Sequence, residues 1–182
     1  MKILLSYLQK KYNYSNYQIT QLDFLFKTIF SELSKVIIMG IIFYKFIPQY
    51  ICALFFMLLL RSTSGGLHFY TYLGCLATSV SFIGLVLLLY TFVPLPLYIK
   101  GCLLLISILI CYLTGPVASK YRPPRSEHSR AILRNLTCSF IFVYTLFMYI
   151  TPDNPYIQIG FWVIILHSLQ LSLAKYIRKG AV

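Results

Sequence analysis

The sequence predicts an all-α integral membrane protein with about six transmembrane helices. Hydrophobic residues make up 59% of its 182 residues and charged residues only 11%, whereas a soluble domain carries about 25% charged residues. The mean hydropathy is +0.76, and the apolar residues are gathered in long runs. A chain with so few charges lacks the polar surface that a soluble domain needs.

Four apolar runs in the second part of the chain are each near the ~20 residues that cross hydrocarbon as a helix. They are separated by turns that contain proline or glycine and by one basic polar loop, residues 117–134. The expected spans are residues 69–93, 97–114, 135–150 and 156–174.

The first part of the chain has shorter apolar runs. Residues 34–46 and 47–60 are apolar, with Pro48 near their junction, so they predict either two thin crossings or one broken, partly re-entrant hairpin. Residues 1–30 are rich in tyrosine and lysine, which is typical of an amphipathic helix at the membrane interface and not of a cleavable signal peptide. We expect the whole chain, residues 1–182, to form a single membrane domain.

The basic residues predict the orientation, because cytoplasmic loops carry an excess of lysine and arginine. Both termini and residues 61–75 are expected to face the cytoplasm, and a four-span arrangement gives the same side for residues 61–75. Only Lys45 and Lys100 fall on the opposite side. This topology explains the net charge of +12. Binding of a nucleic acid, the other function that a basic chain suggests, would need a soluble basic face. The basic residues on the predicted cytoplasmic side are Lys2, Lys10, Lys11, Lys27, Lys35, Arg61, Lys120, Arg122, Arg125, Arg130, Arg134, Lys175, Arg178 and Lys179.

Residues 61–75 contain the candidate catalytic groups, since polar and ionisable side chains are costly at membrane depth. Cys75 is the predicted nucleophile and His68 its general base and later proton donor, because a thiolate is the attacking species and an imidazole can generate it. Arg61 is expected to support the site by binding a carboxylate or phosphate or by stabilising negative charge. Gly65 and Gly66 would allow a sharp bend.

The spacing of His68 and Cys75 sets a geometric condition. On one straight helix their Cα atoms would lie about 10.5 Å apart, beyond the combined reach of the two side chains. His68 must therefore lie in a folded-back loop before the helix of Cys75, or the two residues must meet across a dimer interface. Glu32, Glu127 or a backbone carbonyl could orient His68, and the sequence does not choose among them.

Each of these residues also has a purely structural interpretation. An arginine at a helix end commonly reaches the headgroups, a glycine pair commonly marks a turn or close helix packing, and a buried cysteine commonly behaves as a small hydrophobe. His167, inside the last span, is expected to pack or to form a hydrogen bond. The five cysteines form no CxxC pair, so we expect no disulfide framework, no zinc site and no cofactor.

Arg61, Gly65-Gly66, His68 and Cys75, in this order and with this spacing, resemble the accessory gene regulator B (AgrB) family. The resemblance continues through residues 115–117, the proline pair at 123–124 and the polar loop to Arg134. Members of this family are integral-membrane cysteine endopeptidases of Gram-positive quorum-sensing systems.

The resemblance implies an activity that composition does not reveal. Family members cut a small AgrD-like propeptide near its C-terminal end and remove an acidic tail, while the acyl group is held on the catalytic cysteine as a thioester. A cysteine of the peptide, or a serine in some systems, then displaces it and closes a thiolactone or lactone ring. By position, Cys75 would be the nucleophile and His68 its base, with Arg61 and Gly66 supporting the site. The resemblance also implies a homodimer in the membrane of a bacterial cell.

The basic loop is predicted to bind the substrate as well as to set the topology. It lies on the same side of the membrane as residues 61–75, where its positive charge would attract an acidic peptide tail. The positive-inside rule alone also accounts for its charge. The residues concerned are Lys120, Arg122, Arg125, Arg130 and Arg134.

A non-enzymatic membrane exporter or chaperone of a small peptide is the alternative function. It would keep the basic loop but make Cys75 dispensable. An aspartyl or metal-dependent protease would need paired intramembrane acids or an HExxH-like site. The four acidic residues, Asp23, Glu32, Glu127 and Asp153, supply neither.

Overall fold

The computed structural model describes residues 16–66, 71–117 and 126–179, and within these ranges the secondary structure is helical, with no β-strand. The predicted all-α fold is therefore confirmed. The α-helices are α1 (Asn16–Ile42), α2 (Ile47–Ser64), α3 (Tyr72–Phe92), α4 (Leu97–Thr114), α5 (Glu127–Ile150) and α6 (Pro155–Lys179), and a 3-10 helix, Tyr44–Phe46, precedes α2.

Five helical segments in the described part of the chain are long and apolar enough to cross a membrane. They are Tyr44–Ser64, Tyr72–Phe92, Leu97–Thr114, Glu127–Ile150 and Pro155–Ile177. Large apolar side chains remain exposed on their outer surfaces, including Leu73, Phe92 and Ile150, each more than 70% exposed. Such a surface is suited to lipid, so the chain is a multi-pass membrane protein.

The N-terminal part of the described chain differs from the expected division at residue 30. Helix α1 begins at Asn16, within the predicted interfacial region, and runs without interruption into the apolar segment that follows, because residues 16–39 contain neither proline nor glycine. Residues 1–15 of the predicted interfacial helix lie outside the described residues. Within α1, Lys35 and Glu32 form an ion pair of 2.5 Å. Helices α1 and α2 belong to two separate compact units, which divide at Tyr44.

Pro48 does not break a helix but begins one. It occupies the first turn of α2, where a missing backbone N–H has no intrahelical partner to lose. With the 3-10 helix before it, α2 forms a segment of 21 residues, long enough to span by length and composition. The short predicted segment 47–60 is thus the larger part of a full-length helix that continues to Ser64.

The second unit, residues 45–182, is organised around the last helix. Helix α6 packs against α2, α3, α4 and α5, and 61% of its spanning window is buried, compared with 17–28% for the other four segments. Phe161, Ile164 and Leu171 are among its fully buried side chains. Gly160 lets Phe56 of α2 approach, since a Cβ there would come within 2.8 Å of the Phe56 ring.

One end of this second unit gathers the candidate groups, and we call it the site end. It comprises the C-terminal ends of α2, α4 and α6 and the N-terminal ends of α3 and α5. Contacts across it include the N–H of Val117 donating to the carbonyl of Ser64 at 3.0 Å, and Lys175 Nζ donating to the carbonyl of Leu113 at 2.7 Å. Lys100 and Asp153 lie at the opposite end, where Lys100 donates a hydrogen bond to Gln158.

Two helices begin at side-chain caps rather than at the expected positions. Thr71 Oγ1 accepts from the N–H of Gly74 at 3.2 Å, so α3 begins at Tyr72 instead of near residue 69. Ser126 Oγ accepts from the N–H of Ser129 at 3.3 Å, so α5 begins at Glu127 instead of residue 135. The second half of the predicted basic loop is consequently helical.

Candidate functional site

The last turn of α2 carries the first part of the predicted motif. Arg61 lies in this turn, half-buried, and its carbonyl accepts a hydrogen bond of 3.1 Å from the N–H of Gly65. Gly65 ends the helix with φ +78° and ψ −150°, in a left-handed region that is open essentially to glycine alone. The bend that the glycine pair allows is present at Gly65.

The turn after α2 is held against the segment that follows α4. Gly65 and Val117 form a short parallel bridge. A Cβ on Gly65 would overlap the carbonyl oxygen of Val117, so only glycine fits there. Gly66 is buried, and a Cβ on it would lie 3.4 Å from Nε of Arg61. The arginine side chain therefore covers the glycine turn.

Ser64 is held from two directions by residues far away in the sequence. Its carbonyl accepts the hydrogen bond from Val117, and its hydroxyl lies 2.6 Å from Nε2 of His167 in α6. Ser64 is 2% exposed and His167 is 1% exposed. The expectation that His167 packs or forms a hydrogen bond is confirmed, but its partner was not predicted.

Two further hydrogen bonds between hydroxyl groups join the helices near this point. Thr137 of α5 donates to Thr63 of α2 at 2.9 Å. Ser168 of α6, which follows His167, donates to Ser107 of α4 at 3.2 Å. All four side chains are buried. The end of α2 is thus tied to α5 and α6 by buried polar contacts, which are strongly directional in a low-dielectric interior.

Cys75 lies in the first turn of α3, half-buried. Its N–H donates the first intrahelical hydrogen bond, of 3.1 Å, to the carbonyl of Thr71. The N-terminal end of a helix carries a partial positive charge that favours nearby anions. Only seven residues separate the end of α2 from the start of α3, so Cys75 and the Arg61–Gly66 turn share the site end.

His68 lies outside the described residues, and so do Lys120, Arg122 and Arg125. The predicted contact between His68 and Cys75 therefore stays a prediction. Helix α3 begins at Tyr72, with Thr71 in an extended conformation, so the helix that carries Cys75 does not extend back to His68. The start of α3 fits the condition set by the spacing of the two residues.

The two remaining basic residues of the predicted binding loop lie on α5. Arg130 is exposed, and its N–H donates to the carbonyl of Ser126 at 3.0 Å. Arg134 lies one turn further along, with its guanidinium carbon 4.5 Å from the ring centroid of Tyr112. Lys175 caps the end of α4 through Leu113. The described part of the site end is therefore positively charged.

The described cysteines do not form a metal site. No group of three or more His, Cys, Asp or Glu side chains lies close enough to hold an ion within the described ranges. Cys111 is buried, Cys102 is exposed, and Cys52, Cys75 and Cys138 are intermediate. Cys75 differs from the other four because it alone lies in the first turn of a helix, at the end of the unit that also holds the Arg61–Gly66 turn.

Comparisons with known proteins show the family of this chain. The family model described as accessory gene regulator B matches residues 1–171. The chain is also 28% identical over 142 residues to an AgrB-like protein of Clostridium beijerinckii, which covers 76% of this chain and 69% of that protein. No solved structure matches it. The chain therefore belongs to the AgrB family and, as a multi-pass membrane protein of that family, has a role in agr quorum sensing.

Proposed function

We propose that this protein is a membrane-embedded cysteine endopeptidase that removes the C-terminal tail of a small quorum-sensing propeptide and promotes closure of a thiolactone or lactone ring. The single observation that carries the proposal is the position of Cys75. A half-buried thiol lies at the positive end of α3, at the same end of the unit as an arginine-covered glycine turn, in a chain of the AgrB family.

The first step is acyl transfer to the enzyme. His68 takes the proton from Cys75, and the thiolate attacks the carbonyl carbon of the scissile peptide bond. The tetrahedral intermediate collapses when the C–N bond breaks, and His68 gives its proton to the departing amine. The tail leaves, and the rest of the propeptide stays on Cys75 as a thioester. Arg61 is the candidate stabiliser of the oxyanion, since the N–H of Gly65 already donates to the carbonyl of Arg61.

The second step is ring closure. A thiol or hydroxyl within the bound peptide loses its proton to His68 and attacks the thioester carbonyl, and Cys75 leaves as a thiolate that takes the proton back. Exchange between thiol and thioester is close to balanced, so closure competes with hydrolysis only if water is kept away. The proposal therefore requires that the bound peptide exclude water from Cys75.

The positive charge of the site end is proposed to recruit the acidic tail of the propeptide. Arg130 is exposed at the start of α5, and Arg134 lies over Tyr112 with its side chain half-buried. Lys120, Arg122 and Arg125 belong to the same predicted surface. An anionic tail held there would bring the preceding peptide bond to the site end. We also propose that both termini and the site end face the cytoplasm, where the propeptide is made.

The test is propeptide cleavage by the purified protein in nanodiscs, followed by mass spectrometry. Cys75→Ala should abolish cleavage, and the wild type should carry an acyl adduct on Cys75. Cys102→Ala is the matched control, because Cys102 lies in α4 far along the chain from the motif and is exposed. Full cleavage by Cys75→Ala would overturn the endopeptidase mechanism and favour the exporter or chaperone.

A mixing experiment separates the two ways in which His68 and Cys75 can meet. Cys75→Ala and His68→Ala subunits are co-expressed with different tags, and mixed assemblies are isolated. If the two residues act within one chain, mixed assemblies stay inactive. If they act across a homodimer, the mixed assemblies recover one complete site.

A further inference from the structure

The buried pair formed by Ser64 and His167 has no part in the proposed chemistry, yet it joins the site end to the last helix. The two side chains are 103 residues apart in sequence, and the Ser64 hydroxyl lies 2.6 Å from Nε2 of His167. Both are almost completely buried. A buried polar contact of this length is retained only when its donors and acceptors match.

The hydrogen bonds around Ser64 assign the proton on His167. The Ser64 hydroxyl has one proton and lies 2.6 Å from the carbonyl oxygen of Leu60, which can only accept. The short contact with a group that can only accept favours donation of that proton to Leu60, so that the hydroxyl oxygen accepts in its contact with His167. Nε2 of His167 is the donor. Within the described residues, Nδ1 is buried without a hydrogen-bond partner, as expected for the tautomer that carries its proton on Nε2.

The residue held in this way is the last one before the left-handed glycine. Ser64 receives three fixed contacts: its hydroxyl donates to its own helix, its hydroxyl accepts from α6, and its carbonyl accepts from Val117. Because Gly65 follows directly, the angle at which the chain leaves α2 depends on how firmly Ser64 is held. Of these three contacts, the one with the central helix, α6, is made by His167.

We propose that His167 is a positioning residue: its Nε2–H···Oγ hydrogen bond to Ser64 locks the Arg61–Gly66 turn against α6 and fixes the path of the chain towards the catalytic groups. The consequence for peptide cleavage rests on the proposed function. The locking itself does not, because it follows from the contacts of Ser64. Small displacements of reacting groups have large kinetic effects, so loss of the lock should lower the rate of the chemical step by about 10-fold or more.

The test compares variants that remove or replace this hydrogen bond with a control variant that leaves it in place. His167→Leu removes the donor, His167→Gln offers an amide N–H near the position of Nε2, and Ser64→Ala removes the hydroxyl from the other side. Ser168→Ala is the matched control, since Ser168 is the next residue of α6, is equally buried, and bonds to Ser107 of α4 and not to the turn. If His167→Leu fails to fold, Ser64→Ala tests the same hydrogen bond from its other partner.

Two readouts are measured on protein in nanodiscs. Hydrogen–deuterium exchange of the peptide that covers residues 61–75 should rise in His167→Leu and Ser64→Ala, and should be close to wild type in His167→Gln and Ser168→Ala. In propeptide cleavage, kcat should fall in His167→Leu and Ser64→Ala while KM stays unchanged. The reason is that these variants alter the positioning of the reacting groups and not the binding of the tail.

The outcomes separate this inference from the proposed function. Wild-type exchange in His167→Leu, or an equal rise in Ser168→Ala, would overturn the positioning role. Full cleavage by Cys75→Ala would overturn the endopeptidase, while the exchange results would still decide whether His167 holds the turn.

Discussion

The carbonyl oxygen of Val117 overlaps the position that a Cβ on Gly65 would occupy. This relationship brings together the end of α2 and the segment after α4, which are 52 residues apart, and it rests on a backbone bridge and on the hydrogen bond from Val117 to Ser64. The glycine at this position is therefore required by a tertiary contact as well as by its own left-handed conformation.

Gly65→Ala should both destabilise the protein and abolish most of its activity. A side chain at φ +78° and ψ −150° costs on the order of 1–3 kcal/mol, and the overlap with Val117 adds to that cost by pushing the two segments apart. Gly66→Ala should be milder, because its Cβ would meet the Arg61 side chain at 3.4 Å, which can move. Thermal unfolding in detergent and propeptide cleavage would measure both. Equal behaviour of the two variants would show that the bridge to Val117 is unimportant.

Replacement of Cys75 should separate catalysis from folding. Cys75→Ser keeps the size of the side chain but supplies a much weaker nucleophile, so cleavage should fall by several orders of magnitude while insertion and melting temperature stay unchanged. The measurement is initial rate together with intact-protein mass. Cys102→Ala should retain the wild-type rate. If Cys75→Ser were to cleave at the wild-type rate, the nucleophile would have to be sought elsewhere.

Charge reversal at the start of α5 should weaken substrate binding. Arg130→Glu with Arg134→Glu places two negative charges on the proposed path of an acidic tail, so KM should rise several-fold, and the salt dependence of KM should disappear. Lys45→Glu is the control, since Lys45 is exposed and lies in the 3-10 helix before α2, at the end opposite the site. Unchanged KM in a normally inserted double variant would leave these arginines with a topological role alone.

The orientation can be measured by labelling single cysteines in whole cells. The native cysteines are first replaced, and a cysteine is introduced at Ser126 or at Asp153, both of which are exposed and lie at opposite ends of the second unit. A membrane-impermeant maleimide should label the Asp153→Cys protein from outside and the Ser126→Cys protein only after lysis. The reverse pattern would place the site end outside the cell.

The class of protein could be read from the sequence because it depends on composition and on the length of apolar runs. The four later spans were predicted within a few residues of α3, α4, α5 and α6, apart from the start of α5. That helix begins earlier because Ser126 caps it, and a cap of this kind is a weak signal beside the strong charge of the surrounding segment. The uninterrupted course of α1 is not evident from the sequence either, because its polar first part and its apolar second part differ in composition and resemble two separate elements.

Only part of the candidate site could be predicted from the sequence. Arg61, the glycine pair and Cys75 are local in sequence, so their pattern could be recognised, and the left-handed turn at Gly65 follows from local chemistry. The contact of Ser64 with His167 has no local signature, because the spacing of 103 residues carries no information about which helices pack together. The contact between His68 and Cys75 stays a prediction.

The sequence by itself determined that this chain is a helical membrane protein, which family motif it carries and which thiol is the candidate nucleophile. These properties depend on hydrophobicity and on short spacings between residues, which can be recognised along the chain without its fold. The tertiary structure decided that α6 is the central helix, that Val117 fills the space beside Gly65, and that His167 holds Ser64. The physical reason is that burial and hydrogen-bond matching depend on which surfaces meet, and distant segments meet only when the chain has folded.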